Sequence, residues 1–132
     1  MSFGHVMSLV IALAMVGAAG QVAAAAPVDA TMVTSCYGTE PFWRLDINAS
    51  RLRFEHLDEQ AMTIANQGPR AAQGTQAAFV SLYQGRLLDN PSRFMNVIIQ
   101  RAECSDGMSD DVHPFTALVL SGTTLYRGCC AR

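Results

Sequence analysis

The segment PFTALVLSGTTLYRGCC, Pro114 to Cys130, decides the fold. Two runs rich in apolar and β-branched residues flank the pair Ser121–Gly122, and this arrangement is a strong signal of a β-hairpin. With Ser121–Gly122 as a two-residue turn, Leu118 faces Leu125 and the two ends of the segment come together. The C-terminal part of the chain is therefore predicted to form two antiparallel strands.

The same pattern extends upstream of the hairpin. Short extended segments recur about every ten residues between turn signals, and the mature chain sustains no helical period of 3.6 residues. Residues 68–76 and 89–92 are rich in turn-forming residues and are predicted loops. The sequence thus predicts an all-β domain, a small antiparallel barrel of seven or eight strands. The strands predicted before the hairpin are Glu40–Ile47, Arg51–Leu57, Ala61–Gln67, Ala77–Leu88 and Phe94–Cys104.

The start of the chain differs from the rest in composition. No Asp, Glu, Lys or Arg precedes Asp29, and an apolar run leads into small residues typical of an A-x-A cleavage site. We expect a signal peptide over residues 1–25, an N-terminal extension over 26–35 and a single β-barrel domain over 36–132. The expected location is the periplasm or the exterior, and an uncleaved inner-membrane anchor is the alternative.

The charge of the chain restricts its partners. The formal net charge is −2, and all nine basic residues are arginine. Binding to nucleic acid needs a basic excess, so nucleic acid is not an expected partner. Contact with a membrane is expected only through an uncleaved signal segment.

Four cysteines, Cys36, Cys104, Cys129 and Cys130, follow the signal segment. An even number in an exported protein, without a C-x-x-C spacing, indicates disulfides. The hairpin, together with pairing of the first strand and the last, gathers all four at one rim of the sheet. Cys129 and Cys130 point to opposite faces of their strand, so each takes a different partner. Two pairings stay open: Cys36–Cys130 with Cys104–Cys129, or the swapped set.

The segment CSDGMSDD, Cys104 to Asp111, joins two of these strands. Gly107 permits a positive φ, and Asp106 and Asp110 can accept backbone N–H bonds as in Asx turns, which predicts an ordered loop. One alternative is a recognition surface for a partner. The other is a Ca²⁺ site built from the aspartates, although their spacing differs from that of an EF-hand. We favour the ordered loop and expect no metal.

Trp43 is the only tryptophan. It is expected to pack in the core under the barrel mouth, and the alternative is a ligand platform at a pocket mouth. Glu40 precedes Pro41, which restricts Glu40 to extended conformations, and its carboxylate is expected to bond Arg or backbone N–H groups at the rim.

Catalytic motifs are missing from the sequence. It contains no G-x-S-x-G, no H-E-x-x-H and no glycine-rich phosphate loop. A nucleophilic pair of His113 with Cys104 or Cys129 would need a thiolate, which a disulfide removes. We expect no catalytic residues, no cofactor and no enzymatic activity.

Three motifs occur in the order CYGTEPFWRLDI, CSDGMSD and GCC. Together they resemble a family of uncharacterised bacterial envelope proteins with a Cys-x-Gly-Thr-Glu-Pro-Phe-Trp opening, a Cys-x-Asp-Gly-Met-Ser-Asp loop and a Cys-Cys ending. The match spans Cys36 to Cys130 and implies a membrane or lipoprotein domain of unknown function. The family often has a basic or aromatic residue where this chain has Asp111.

A weaker likeness links these motifs to two small β-rich envelope modules, the META (HslJ-like) domain and the C-type lysozyme inhibitor domain. Inhibitors of that type resemble eight-stranded barrels with a Ser-Gly-x-x-Tyr-like loop. In this chain SGTTLY has one residue more between Gly122 and Tyr126.

The sequence as a whole favours an exported, non-enzymatic binding module of the bacterial envelope, with another envelope protein or lysozyme as its partner. The alternatives are a lysozyme inhibitor acting through Ser121–Tyr126, a structural or stress-related envelope protein without a small ligand, and a thiol or metal enzyme at the cysteine rim. The candidate binding rim comprises Glu40, Phe42, Trp43, Asp106, Met108 and Asp110.

Overall fold

The computed structural model describes Met1 and residues 29–131, so the expected signal segment lies outside the described residues apart from Met1. The described domain begins with a 3₁₀ turn at Ala30–Met32, and the regular secondary structure that follows it is all β-strand. No helix among these residues has the length and apolarity needed to cross a membrane. The strands are β1 (Ser35–Thr39), β2 (Phe42–Ile47), β3 (Arg51–His56), β4 (Met62–Ala65), β5 (Arg70–Ala71), β6 (Val80–Arg86), β7 (Phe94–Gln100), β8 (Cys104–Ser105), β9 (Val112–His113), β10 (Phe115–Ser121) and β11 (Thr124–Ala131).

Nine strands form one antiparallel sheet that curls into a half-barrel, in the order β4-β3-β2-β1-β11-β10-β7-β6-β5. The segment around Cys36 pairs with the last strand, as expected, but it forms a strand of its own, β1, and the predicted first strand Glu40–Ile47 is β2. The sheet does not close fully, because among the described residues the backbone pairing between its two sides consists of a bridge between Ile64 and Leu87 and a 2.8 Å bond from Leu88 N to Thr63 O. The all-β, antiparallel prediction is confirmed, with nine strands in the main sheet and the short β8–β9 pair beside it.

The terminal hairpin forms with a different register from the predicted one. Its two-residue turn is Gly122–Thr123, because Ser121 belongs to β10 and pairs with Thr124. Gly122 has a φ of +60°, which suits the first central position of a type II′ turn. Leu118 therefore faces Arg127, and the predicted partnership of Leu118 with Leu125 is wrong.

Two other predicted boundaries change. The strand predicted to run to Cys104 ends at Gln100, where the chain turns and Ala102 N donates to Gln100 O at 2.9 Å. The loop predicted over residues 68–76 contains β5, which pairs with β6. Within the predicted strand Ala77–Leu88, the strand that forms is Val80–Arg86, and residues 77–79 form a turn.

The core lies inside the curl of the sheet and follows from strand alternation. In β2 the inward residues Trp43, Leu45 and Ile47 are buried, whereas Arg44 points outward and is exposed. The 3₁₀ turn adds Ala30 to the same core, and Ala30 N bonds Ala78 O at 2.9 Å. The expected N-terminal extension is thus attached to the domain from Ala30 onward.

Trp43 occupies the centre of this core and lies directly on the backbones of two neighbouring strands. A Cβ atom added at Gly38 of β1 would overlap the indole Nε1, and one added at Gly128 of β11 would lie 2.5 Å from the indole Cζ2. The indole therefore fits only because both positions lack a side chain. Its other neighbours are the rings of Phe54 and Tyr126, with centroids 5.5 and 6.5 Å away.

Substituting Gly38 tests this packing. Gly38→Ala is expected to lower the free energy of unfolding by about 3 kcal/mol, because the indole has to leave its place over β1. Gly107→Ala is the control, since a Cβ there meets no atom within 4 Å and only the φ of +73° opposes it. Its expected cost is about 1 kcal/mol. Urea denaturation of both variants measures the difference, and equal losses would contradict the role of the indole contact.

Candidate functional site

Both disulfides lie at the rim where β1, β11 and the segment after β7 meet. Of the two pairings left open by the sequence, the structure forms Cys36–Cys130 and Cys104–Cys129, with Cα–Cα distances of 3.9 and 5.4 Å. Cys36 and Cys130 are direct partners in the β1–β11 ladder and belong to the hydrophobic core. Cys129 points to the other face of the sheet, where it holds Cys104. No described cysteine is a free thiol, so thiolate chemistry has no residue to use.

The segment between β8 and β9 is the ordered loop that the sequence predicts. Asp106 Oδ1 accepts hydrogen bonds from Met108 N at 2.9 Å and Ser109 N at 3.0 Å. These two backbone donors, Met108 N–H first, hold the pKa of the Asp106 carboxyl below its ordinary value of about 3.8. Gly107 between them has a φ of +73°, as predicted. Asp110, the second predicted acceptor, accepts no hydrogen bond from the described residues, so that part of the prediction is wrong.

Tyr37 of β1 fastens the loop to the main sheet. Its Oη lies 2.9 Å from His113 Nε2 and donates to Asp106 Oδ2 at 3.3 Å. Thr39 Oγ1 adds a 3.3 Å bond to the carbonyl of Asp106. Burial and then the charge of Asp106 raise the pKa of Tyr37. The loop is therefore held by a disulfide at its base and by two side chains of β1.

Tyr37 and His113 also belong to the site, although neither was predicted from the sequence as a site residue. Each sits opposite a disulfide cysteine, since Tyr37 pairs with Cys129 and His113 pairs with Cys104. Because Cys36 faces the core, the next residue along β1 must face outward toward the loop. The signal for both residues was therefore the strand register, which the sequence alone left open.

The six residues of the predicted binding rim do not form one surface. Glu40 and Asp106 line a shallow pocket of about 250 Å³, which Arg127 also borders. Phe42 is 53% exposed on the outer face of β2, where it lines a separate cleft. Met108, on the loop, is 77% exposed. Asp110 is exposed on the same loop.

Trp43 is only 1% exposed and belongs to the core, which confirms the favoured prediction and excludes the ligand platform. The segment proposed for lysozyme inhibition, Ser121–Tyr126, has both of its end residues facing inward. Ser121 and Tyr126 are 7% and 8% exposed, and Ser121 Oγ contacts Met62 Sδ at 3.1 Å. Between these two residues, positions 122–125 are exposed to solvent.

The acidic loop does not form a cation site. Among the described residues, no group of three or more His, Cys, Asp or Glu side chains is placed to hold a metal ion.

No family profile, curated protein or solved structure matches the chain. The resemblance to bacterial envelope proteins therefore stays a prediction, and what the site does is inferred from its geometry.

The two disulfides are expected to differ in their contribution to stability. Cys36–Cys130 spans 94 residues and Cys104–Cys129 spans 25. From loop-closure entropy, removing the first with a double Cys→Ala variant costs about 4.7 kcal/mol and removing the second about 3.5 kcal/mol. Urea denaturation without reductant measures both. In the second variant, hydrogen exchange of the loop should speed up while that of β10 stays slow, and a loss for the second pair as large as for the first would contradict this assignment.

The Asp106 turn predicts a pH dependence. Because the folded pKa of Asp106 is depressed, its ionised form stabilises the fold above the unfolded value of about 3.8, and this contribution is lost as the pH falls through the folded pKa. Asp106→Asn should therefore be less stable than the wild type at pH 7, with the gap narrowing at pH 2.5. Asp110→Asn is the control and should show no such gap. Urea denaturation at both pH values measures it, and a gap independent of pH would refute the turn's role.

Proposed function

We propose that the protein is an exported, non-enzymatic binding module of the bacterial envelope that recognises a protein partner through residues 104–113. The observation that carries this proposal is a rigid loop with exposed apolar side chains. Met108 and Val112 are 77% and 62% exposed, although the loop beneath them is held by a disulfide and by Tyr37.

Rigidity matters because an ordered loop loses little conformational entropy when it binds. The flexible thioether of Met108 adapts to the shape of a partner, and exposed apolar groups gain free energy when they are covered. Glu103, Asp110 and Asp111 are exposed around these side chains. The chemistry of the loop thus fits a partner with an apolar pocket bordered by basic residues.

A binding role fits this rim better than catalysis does. The contact of Tyr37 with His113 and Asp106 brings three titratable side chains together, but the pKa of Tyr37 is raised, so its hydroxyl stays protonated at neutral pH. An activated nucleophile needs a lowered pKa or a base free to take its proton. Here the hydroxyl donates its one proton to Asp106 Oδ2, so it acts as a structural hydrogen-bond donor that joins β1 to the loop.

Export is supported by the cysteines and by the start of the chain. Two disulfides form from all four cysteines, which fits an oxidising compartment such as the periplasm. The charge-free apolar segment before Asp29 is the kind of sequence that directs export.

Affinity capture from a cell-envelope extract tests the proposal. Met108→Asp should abolish capture of the partner, because a charge replaces the apolar contact at the loop tip. Met32→Asp is the matched control, since Met32 is also exposed, at 64%, but lies in the 3₁₀ turn at the opposite end of β1. The expected result is a protein band captured by the wild type and by Met32→Asp and lost with Met108→Asp. Capture that survives Met108→Asp would refute the loop as the binding surface.

A further inference from the structure

The incomplete closure of the half-barrel leaves a cleft between its two edges. Ile64 of β4 and Gly85 of β6 approach so closely that a Cβ at Gly85 would lie 3.0 Å from the Cβ of Ile64. Beside this contact β5 pairs with β6 through only two residues, and residues 66–69 between β4 and β5 belong to no strand. The resulting cleft has a volume of about 510 Å³, within the range of about 300–1,000 Å³ typical of small-molecule sites. It shares no residue with the loop site.

Two arginines line the cleft, and both are held in place by neutral partners. Arg86 donates through Nη1 to the carbonyl of Pro91 at 2.7 Å, and its guanidinium lies 4.2 Å from the centre of the Phe94 ring. Arg70 donates to Gln84 Oε1 at 3.4 Å. A guanidinium has five N–H donors, so each arginine keeps most of its donors for a ligand.

The charge of these arginines is not neutralised by a nearby carboxylate. Within the part of the chain that the structure describes, the arginines that pair with carboxylates are Arg44 with Asp46 and Arg53 with Glu55. Arg44 and Arg53 line the cleft beside Phe42, and Asp58 and Glu59 line the same cleft. The residues lining the cleft at the seam include no Asp or Glu.

Next to the two guanidinium groups, the wall of the cleft is apolar. Leu88 is 60% exposed and Phe94 is 44% exposed, and both border the same space as the two guanidinium groups. Guanidinium groups form paired, charge-assisted hydrogen bonds with carboxylates and phosphates. An apolar group attached to the anion would cover the leucine and the aromatic ring.

From this juxtaposition we propose that the seam between β4 and β6 is a binding site for a small organic anion, a carboxylate or phosphate that carries an apolar group. Arg70 and Arg86 bind the anion, and Leu88 and Phe94 contact the apolar part. This site is independent of the loop and of the protein partner proposed for it.

An NMR titration with phenyl phosphate tests the proposal. Saturable shifts of the Gly68 and Gly85 amides are expected, with a Kd on the order of 1 mM or below. Inorganic phosphate, which lacks the apolar group, should bind at least about threefold more weakly, since covering apolar surface adds affinity. Arg70→Gln and Arg86→Gln should each weaken phenyl phosphate about tenfold, because each removes a charge-assisted contact.

Arg53→Gln is the matched control. It removes one positive charge from the protein but from an ion pair in the other cleft, so the affinity for phenyl phosphate should not change. Arg70→Gln is the variant less exposed to a folding defect, because among the described residues the Arg70 side chain makes one hydrogen bond, to Gln84, whereas the Arg86 side chain also packs on Phe94. Shifts that do not saturate by about 10 mM, equal affinity for the two phosphates, or equal weakening by Arg53→Gln would overturn the proposal.

Discussion

The antiparallel pairing of β1 with β11 is the contact on which the rest of the structure depends. It joins the start of the domain to its end, so Cys36 lies opposite Cys130 and Tyr37 lies opposite Cys129. Since successive residues of a strand point to opposite faces, one step along this ladder separates the core from the outer surface. The Cys36–Cys130 disulfide thus links β1 and β11 within the core, and the Cys104–Cys129 disulfide attaches an external loop to the sheet. A slip of one residue would exchange the two faces, and the two bridges together forbid it.

The same ladder explains why Gly38 and Gly128 lie next to each other under the indole of Trp43. Gly38 and Gly128 both face the core beside the disulfide, and the indole of Trp43 lies over the space that their missing side chains leave. The segments GTEPFW and GCC are therefore two halves of one packing unit, although they are about ninety residues apart in the chain. The loop motif joins them through Cys104.

Sequence reasoning was strongest where alternation and topology decide the outcome. The gathering of the four cysteines at one rim follows from period-two alternation and antiparallel order, and the structure confirms it. The hairpin register was wrong because Ser121–Gly122 and Gly122–Thr123 are both plausible turns, and burial of Ser121 decides between them. The partnership of Tyr37 with His113 was out of reach, since the two are 76 residues apart and meet only through the registers of two ladders.

The edges of the sheet, near β4 and β6, are held by different interactions from its centre, where β1 pairs with β11. At the centre, disulfides and a packed indole fix β1 and β11, so local opening there costs covalent and core contacts together. At the seam the chain leaves the sheet through Gly68, at a φ of +85°, and Pro69, which has no N–H to donate to a ladder. The edge strand β5 that follows has two residues and carries Arg70, features that discourage pairing with another sheet edge. The half-barrel thus stays open at the place where it is held by non-covalent contacts, and that opening gives the two arginines access to solvent.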